Sequence, residues 1–223
     1  MDITKKRETT IGLLALIFSA LFTAMSQVVY AKQVQEIPAF LFTCISFFLT
    51  AVYFAFFART HKHHIKWQGT IGYVVKLNGA SVLAFMCFYF ALKYVESAIV
   101  SALEMGIGPL FVLVLAVIAK ESIPRAQWLI AMATMIACLV LIVDVLSGNS
   151  AVQLVITMPV IIALFASISC GVCAVLCTIY SRELSEAGWT TSMILANRYY
   201  GIILLSFLAT YDVFFKYFSG NIG

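Results

Sequence analysis

Residues 94–125 read YVESAIVSALEMGIGPLFVLVLAVIAKESIPR, and this stretch decides both the fold and the candidate site. It is apolar over a length that can cross a membrane, yet Glu104 lies near its middle, followed by Gly106, Gly108 and Pro109. A carboxylate at the centre of a bilayer costs about 2.5–3.5 kcal/mol, so such groups face a protein interior or a water-filled cavity. Glycine and proline loosen a helix. We therefore expect a helix break at Gly106 and Pro109, in a helix that lines a path through the membrane.

The composition of the chain is that of an integral membrane protein. Of its 223 residues, 63% are hydrophobic and only 11% are charged, whereas about 25% of the residues of a soluble domain are charged. The apolar runs are long and continuous, unlike the short alternating segments of outer-membrane barrels. They predict an all-α, polytopic helical bundle. The net charge of +4 does not indicate nucleic-acid binding, because most Lys and Arg residues lie between the apolar runs.

The apolar runs predict about seven transmembrane helices, at residues 11–31, 38–58, 71–93, 97–119, 126–145, 155–180 and 189–211. Basic residues are enriched in cytoplasmic loops. One side of the predicted bundle holds nine of them: Lys5, Lys6, Arg7, Arg59, Lys62, Lys66, Lys120, Arg125 and Arg182. The other side holds three: Lys32, Lys93 and Lys216. This bias predicts a cytoplasmic N-terminus in a multi-pass protein of a bacterial inner membrane.

An internal repeat divides the chain into two parts. When the first two helices are shifted by 150 residues, Leu14 matches Leu164, Ser19 matches Ser169, Tyr30 matches Tyr180 and Glu36 matches Glu186. We predict a first unit of five helices at 1–148 and a partial second unit of two helices at 149–223. Five helices separate the two copies, so the second copy runs in the opposite direction. Inverted repeats of this kind recur in secondary transporters.

The stretch from the third to the fifth helix resembles the EamA domain of the drug/metabolite transporter superfamily. The residues that carry the resemblance are Phe90, Ala91, Leu92, Tyr94, Ser97, Ala98, Ser101, Ala102, Pro109 and Glu121. The resemblance implies a ten-helix transporter made of two five-helix repeats. The chain then resembles a member truncated after the second helix of the second repeat, and a homo- or heterodimer would complete that repeat. Members often carry an Arg in the second helix of each repeat, which here corresponds to Arg198 and to Phe48.

Glu104 is the main candidate for the functional site. It shares one helical face with Ser101 and Gly108, which form a small and polar stripe on an otherwise apolar helix. The carboxylate can bind a cationic or amine-bearing solute, or it can take up a proton. The alternative is a structural role, in which Glu104 pairs with Arg198 or with another buried donor.

Further candidates lie on other predicted helices. Tyr30 and its repeat partner Tyr180 are expected to line the path or to pack between helices. Tyr89 belongs to an aromatic wall on the third helix, together with Asn78 and Phe85, which suits organic solutes. Arg198 can hold an anionic group of the solute.

The sequence offers little support for metal or cofactor chemistry. Cys170, Cys173 and Cys177 fall on one helical face, and we favour apolar packing over a soft-metal site, because no His or carboxylate accompanies them on that helix. No zinc-protease, serine-hydrolase or nucleotide-binding motif occurs in the sequence. We therefore expect no enzyme activity, no cofactor and no metal.

These observations predict a secondary transporter of small metabolites, amino-acid-like or other small organic solutes. Export by alternating access, coupled to a proton or another ion, is the expected mechanism. The alternative is a non-transporting membrane protein that acts as an assembly partner or is an inert fragment.

Overall fold

The computed structural model describes residues 10–15, 17–22, 25, 28–29, 39–60, 69–120, 122–147 and 157–219. The chain divides into two compact units, Met1–Pro38 and Ala39–Gly223. The first unit contains helix α1, Thr10–Phe22, and residues 25, 28 and 29 are also helical. These positions agree with the helix predicted at 11–31.

The described residues of the second unit form helices joined by short turns, and they include no strand. Its helices are α2 (Ala39–Thr60), α3 (Ile71–Tyr94), α4 (Ser97–Ile118), α5 (Arg125–Leu146), α6 (Met158–Glu186), α7 (Thr191–Arg198) and α8 (Tyr200–Ser219). Six segments of this unit are long and apolar enough to cross a membrane, the last being Thr191–Tyr211, which joins α7 to the first part of α8. The predicted all-α, polytopic membrane architecture is therefore confirmed.

Two of the predicted helices differ from the structure, and the last described helix, α8, extends to Ser219 instead of ending near residue 211. Helix α6 continues to Glu186 instead of ending near residue 180, because its last turn is polar and solvated: Arg182 and Glu186 form an exposed ion pair of 2.8 Å, four residues apart. Gly188 follows the end of the helix with a φ of +91°, which suits a residue without a Cβ, and the Trp189 N–H closes the end by donating to the Leu184 oxygen. The second difference is the helix predicted at 189–211, which is broken at Tyr199.

Helix α6 is the centre of the second unit. It packs most extensively against α3 and then against α4, while α2 packs against α7 and α8, and α5 packs against α4. The buried side of α6 is a stripe at spacings of three and four residues: Val160, Ala163, Ser167, Cys170, Cys177 and Leu184. Most of these side chains are small, which lets neighbouring membrane helices approach closely. The cysteines of the stripe occupy packing positions, as we expected.

Glycines mark three close crossings of helices. A Cβ on Gly171 of α6 would lie 2.6 Å from the main-chain oxygen of Glu104 in α4. A Cβ on Gly106 of α4 would collide with the Cys138 sulfur of α5, and one on Gly201 of α8 would lie 2.8 Å from Val82 Cγ2 of α3. The sequence predicts a helix break at Gly106, but α4 is one helix from Ser97 to Ile118, with Pro109 inside it. The expected break therefore does not occur, and Gly106 allows close packing instead.

The second unit contains residues from both sides of the boundary predicted at 148–149, because α6, α7 and α8 pack directly on α2, α3 and α4. The two predicted repeats stay a prediction. Large apolar side chains cover the outside of every long helix, for example Leu129 and Ile118, as expected for surfaces in contact with lipid.

Replacing Gly171 with Ala should destabilise the protein, because the new Cβ meets main chain, which cannot rotate away. We expect a loss of about 1–3 kcal/mol, typical of an overpacked core, measured as a lower midpoint of thermal unfolding in detergent. Gly79→Ala is the matched control: a Cβ there meets nothing within 4 Å, so it should stabilise α3 by up to about 1 kcal/mol. Equal midpoints for the two variants would contradict the proposed tight crossing of α4 and α6.

Candidate functional site

The carboxyl group of Glu104 lies where α4 crosses α6. Its Oε2 is buried and has no hydrogen-bond partner. The main chain of Glu104 touches the Gly171 position of α6, and the Cys170 thiol is the polar side chain that approaches the carboxyl group. A buried polar atom without a partner costs about 1–3 kcal/mol in a protein interior. Such a group in a membrane helix is a candidate for function.

Glu104 does not pair with Arg198, and the buried polar side chain at its carboxyl group is instead the Cys170 thiol. Among the described residues, the one ion pair is the exposed pair of Arg182 and Glu186. The Arg198 Nε donates to the Ser81 hydroxyl of α3 over 2.9 Å, and the Ser81 oxygen lies 3.3 Å from the Cys177 sulfur of α6. The hydrogen-bond partner of Arg198 is therefore Ser81 and not Glu104.

Two polar levels follow each other along α6. The first is formed by Glu104 and Cys170, and the second by Arg198, Ser81 and Cys177. Cys170 and Cys177 are seven residues apart, which corresponds to about 10 Å along a helix axis. An acidic and a basic side chain thus lie inside one bundle without forming an ion pair with each other.

Arg198 lies at the break between α7 and α8. Tyr199 interrupts the helix with φ −105° and ψ 2°. The side-chain amide of Asn78 from α3 enters this break: its Nδ2 donates to the Asn197 oxygen over 2.7 Å, and its Oδ1 accepts from the Gly201 N–H over 3.0 Å. A side chain inserted into the main-chain hydrogen bonds of a helix is a known cause of kinks.

Aromatic side chains from α2, from α3 and from the break itself lie next to one another. The Phe47 ring of α2 lies 4.5 Å from the Phe85 ring of α3 and 4.9 Å from the Tyr199 ring, measured between centroids. Tyr89 stacks on Phe85 at 6.2 Å, and the guanidinium of Arg198 lies 5.7 Å from the centre of the Tyr199 ring. We call Phe47, Phe85, Tyr89 and Tyr199 the aromatic cluster.

A cavity of about 520 Å³ lies between α4, α5 and α6. Gly108 and Pro109 line it, together with Ala116 of α4, Gln127 of α5 and Thr178 of α6. Its lining is mainly apolar. Glu104 does not line the cavity, but it lies one helical turn before Gly108 on the same side of α4.

The remaining predicted residues lie in separate places. Ser101 is half-buried on α4, one turn before Glu104. Tyr180 of α6 faces Lys76 of α3, whose Nζ lies 6.0 Å from the centre of its ring. Tyr30 lies outside the described residues. Apart from Tyr180 and Tyr30, the predicted residues thus fall into a Glu104 level, an Arg198 level and the cavity.

Three residues shape these places in ways that the sequence does not reveal. Cys170 and Gly171 of α6 form the surroundings of Glu104, and Gly201 admits Asn78 to the helix break. An asparagine in an apolar span was the available signal for the break, because polar groups in membrane helices mark special sites. No group of three or more His, Cys, Asp or Glu side chains that could hold a metal occurs in the described part of the chain.

Comparison with known proteins gives one family match. A family model described as EamA-like transporter family matches residues 10–143, which is more than half of the chain. No curated protein and no solved structure shows significant similarity to the chain.

Glu104→Leu should stabilise the protein, since it removes a buried polar atom without a partner and adds apolar surface to an apolar interior. We expect a gain of about 1–3 kcal/mol, seen as a higher midpoint of thermal unfolding in detergent. Glu183→Leu, at an exposed position on α6, is the control and should change stability by no more than about 0.5 kcal/mol. A lower midpoint for Glu104→Leu would show that the carboxyl group has a stabilising partner.

Proposed function

The chain belongs to the EamA-like transporter family, and from this premise we propose that it exports small organic solutes across a bacterial inner membrane by alternating access. Membership of the family makes it a transporter of small solutes in a lipid bilayer, and members of the family are not enzymes. Amino-acid-like solutes are the class that we propose, because they carry both the positive and the negative groups that Glu104 and Arg198 could each attract.

The observation that carries the proposal is the buried Oε2 of Glu104, which has no partner in the described structure. A polar atom left unsatisfied inside a membrane protein is expensive to keep, and the Cys170 thiol beside the carboxyl group leaves Oε2 without a partner. An amine group of a solute or a transported proton would satisfy it during the cycle. Ser101 lies one helical turn away, so its hydroxyl group could contact the same solute.

The cavity between α4, α5 and α6 supports a route to Glu104. Gly108 and Pro109 of α4 line it, and Gly108 lies one turn from Glu104. The cavity is next to the end of α4 that precedes Lys120 and to the start of α5 at Arg125. The bias of basic residues assigns that side to the cytoplasm, so a solute leaving the cell would enter here.

Arg198, Tyr89, Tyr180 and Tyr30 complete the proposed path. The guanidinium group of Arg198 would hold an anionic group, and Tyr89 in the aromatic cluster would pack against the apolar part of the solute. Tyr180, beside Lys76, would contribute on α6, and Tyr30 would contribute from the matching position of the first repeat. The proposed mechanism uses two inverted repeats, 1–148 and 149–223, and we propose that the chain works as a homo- or heterodimer.

Replacing Glu104 with Gln should abolish transport and leave the fold intact, because the two side chains have nearly the same shape. The assay follows the uptake of a ¹³C-labelled amino-acid mixture into energised inside-out vesicles by mass spectrometry. We expect the native chain to accumulate part of the mixture and Glu104→Gln to reduce that accumulation at least tenfold.

Glu96→Gln is the matched control, because Glu96 precedes the first residue of α4 and is exposed. It should transport like the native chain, and both variants should insert in equal amounts. Undiminished accumulation by Glu104→Gln would refute the role of this carboxyl group, and no accumulation by the native chain would refute transport of this solute class.

Filling the cavity should also slow transport. Ala116→Phe adds a ring to the cavity wall, and we expect the rate of accumulation to fall at least fivefold in the same vesicles. Leu129→Phe, on the outer face of α5 where the side chain is 72% exposed, is the control and should leave the rate unchanged. If both variants transport at the native rate, the solute does not pass through this cavity.

A further inference from the structure

The hydrogen bonds of Asn78 replace one hydrogen bond of a membrane-spanning helix. Asn197 and Gly201 are four residues apart, so their main-chain oxygen and N–H would bond to each other in an unbroken α-helix. Here each of them bonds to the Asn78 side chain instead, over 2.7 and 3.0 Å. The span Thr191–Tyr211 is consequently divided into α7 and α8.

The chemistry of this insertion requires an amide side chain. A primary amide both donates and accepts, so one asparagine can satisfy the oxygen and the N–H that the break releases. The second N–H of Asn78 donates to the Val74 oxygen of its own helix over 3.0 Å, which fixes the orientation of the amide. The approach also needs the glycine at 201, since a Cβ there would lie 2.8 Å from Val82 Cγ2.

The break determines where the Arg198 guanidinium lies. Arg198 follows Asn197 directly, and its Nε is held by the Ser81 hydroxyl over 2.9 Å. Asn78 and Ser81 are three residues apart on one face of α3, so one helix holds both the main chain and the side chain of this segment. No described residue accepts a hydrogen bond from the two terminal amino groups of Arg198, and neither group is fully buried.

The chemistry of these terminal amino groups indicates their ligand. Arg198 lies about 10 Å from the Thr191 end of its span, and a guanidinium at that depth needs an anionic partner. The carboxylate of Glu104 is one polar level away along α6, which is again about 10 Å. A planar guanidinium binds a planar carboxylate through two parallel hydrogen bonds, and the aromatic cluster lies beside it.

We propose that Arg198 binds the carboxylate of an organic solute at the break between α7 and α8, and that Asn78 is the positioning residue that opens the helix there. This inference rests on the proposed function, because it assigns the anionic group of the transported solute to one of its residues. Ser81 anchors the Nε, so that the two terminal amino groups face the carboxylate.

The experiment measures binding at Arg198 and does not require transport. The full-length chain in phosphatidylcholine vesicles is treated with phenylglyoxal, which modifies accessible guanidinium groups, and the modification of Arg198 is followed by mass spectrometry. N-acetylphenylalanine and its amide are the competing solutes, since they differ mainly in the carboxylate. We expect the acid to slow modification of Arg198 at least fivefold and the amide to leave it unchanged, with the exposed Arg182 unaffected by either.

Asn78→Leu should remove this protection, because the helix can then close between Asn197 and Gly201. Ser81→Ala keeps the break and removes only the anchor of Nε, so it should weaken protection and tests the proposal even if Asn78→Leu does not fold. Thr210→Val is the control, because this buried hydroxyl of α8 bonds only within its own helix. In this variant, the acid should protect Arg198 as well as it does in the native chain.

Several results would overturn the proposal. Equal protection by the acid and the amide would exclude recognition of a carboxylate. Equal protection by inorganic phosphate would indicate a general anion site, and protection by phosphatidylglycerol alone would indicate a lipid headgroup. Full protection in both Asn78→Leu and Ser81→Ala would exclude positioning by α3. A failure of transport in Glu104→Gln vesicles leaves each of these outcomes readable, so the two proposals are tested separately.

Discussion

The close crossing of α4 and α6 is the contact on which the rest of the second unit depends. It exists because Gly171 has no side chain, so the main chain of Glu104 can approach α6 to a distance that a Cβ would prevent. Helices in a membrane gain stability mainly from such close packing, since lipid is as apolar as their side chains. The same approach buries the Glu104 carboxyl against Cys170. Tight packing and an unsatisfied polar group thus arise from one contact.

Small side chains on α6 also bring α3 close to it, and this close packing places Ser81 and Arg198. Cys177 continues the buried stripe, which brings α3 close enough for its sulfur to lie 3.3 Å from the Ser81 oxygen. Ser81 in turn accepts the hydrogen bond of Arg198. The two charged residues of the interior therefore take their positions from one helix face, although neither is part of α6. Thiols suit this face because they are small and apolar, yet can accept a weak hydrogen bond.

The helices could be predicted from the sequence alone, whereas the break at Tyr199 could not. Apolar length identifies a span whatever its neighbours are, so the described helices begin and end near their predicted residues, and Glu104 was recognised because a carboxylate is rare in such a span. The cause of the break at Tyr199 lies 121 positions away, at Asn78. No proline or glycine marks Tyr199 itself, and although the asparagine at 78 signals a special site, only the packing of α3 shows which helix it breaks. Gly106 shows the opposite case, because a residue that usually loosens a helix serves a contact with Cys138.

The bonds of Asn78 also limit how the second unit can move. In lipid, a main-chain group released from a helix must find another partner at once. The Asn197 oxygen and the Gly201 N–H have two possible partners, the Asn78 amide or each other, and both arrangements leave the main chain satisfied. Because one amide makes both bonds, α3 cannot separate from the break by losing them one at a time without exposing a polar group. Any movement of α3 relative to α7 and α8 must therefore either carry the three helices together or exchange both bonds in one step.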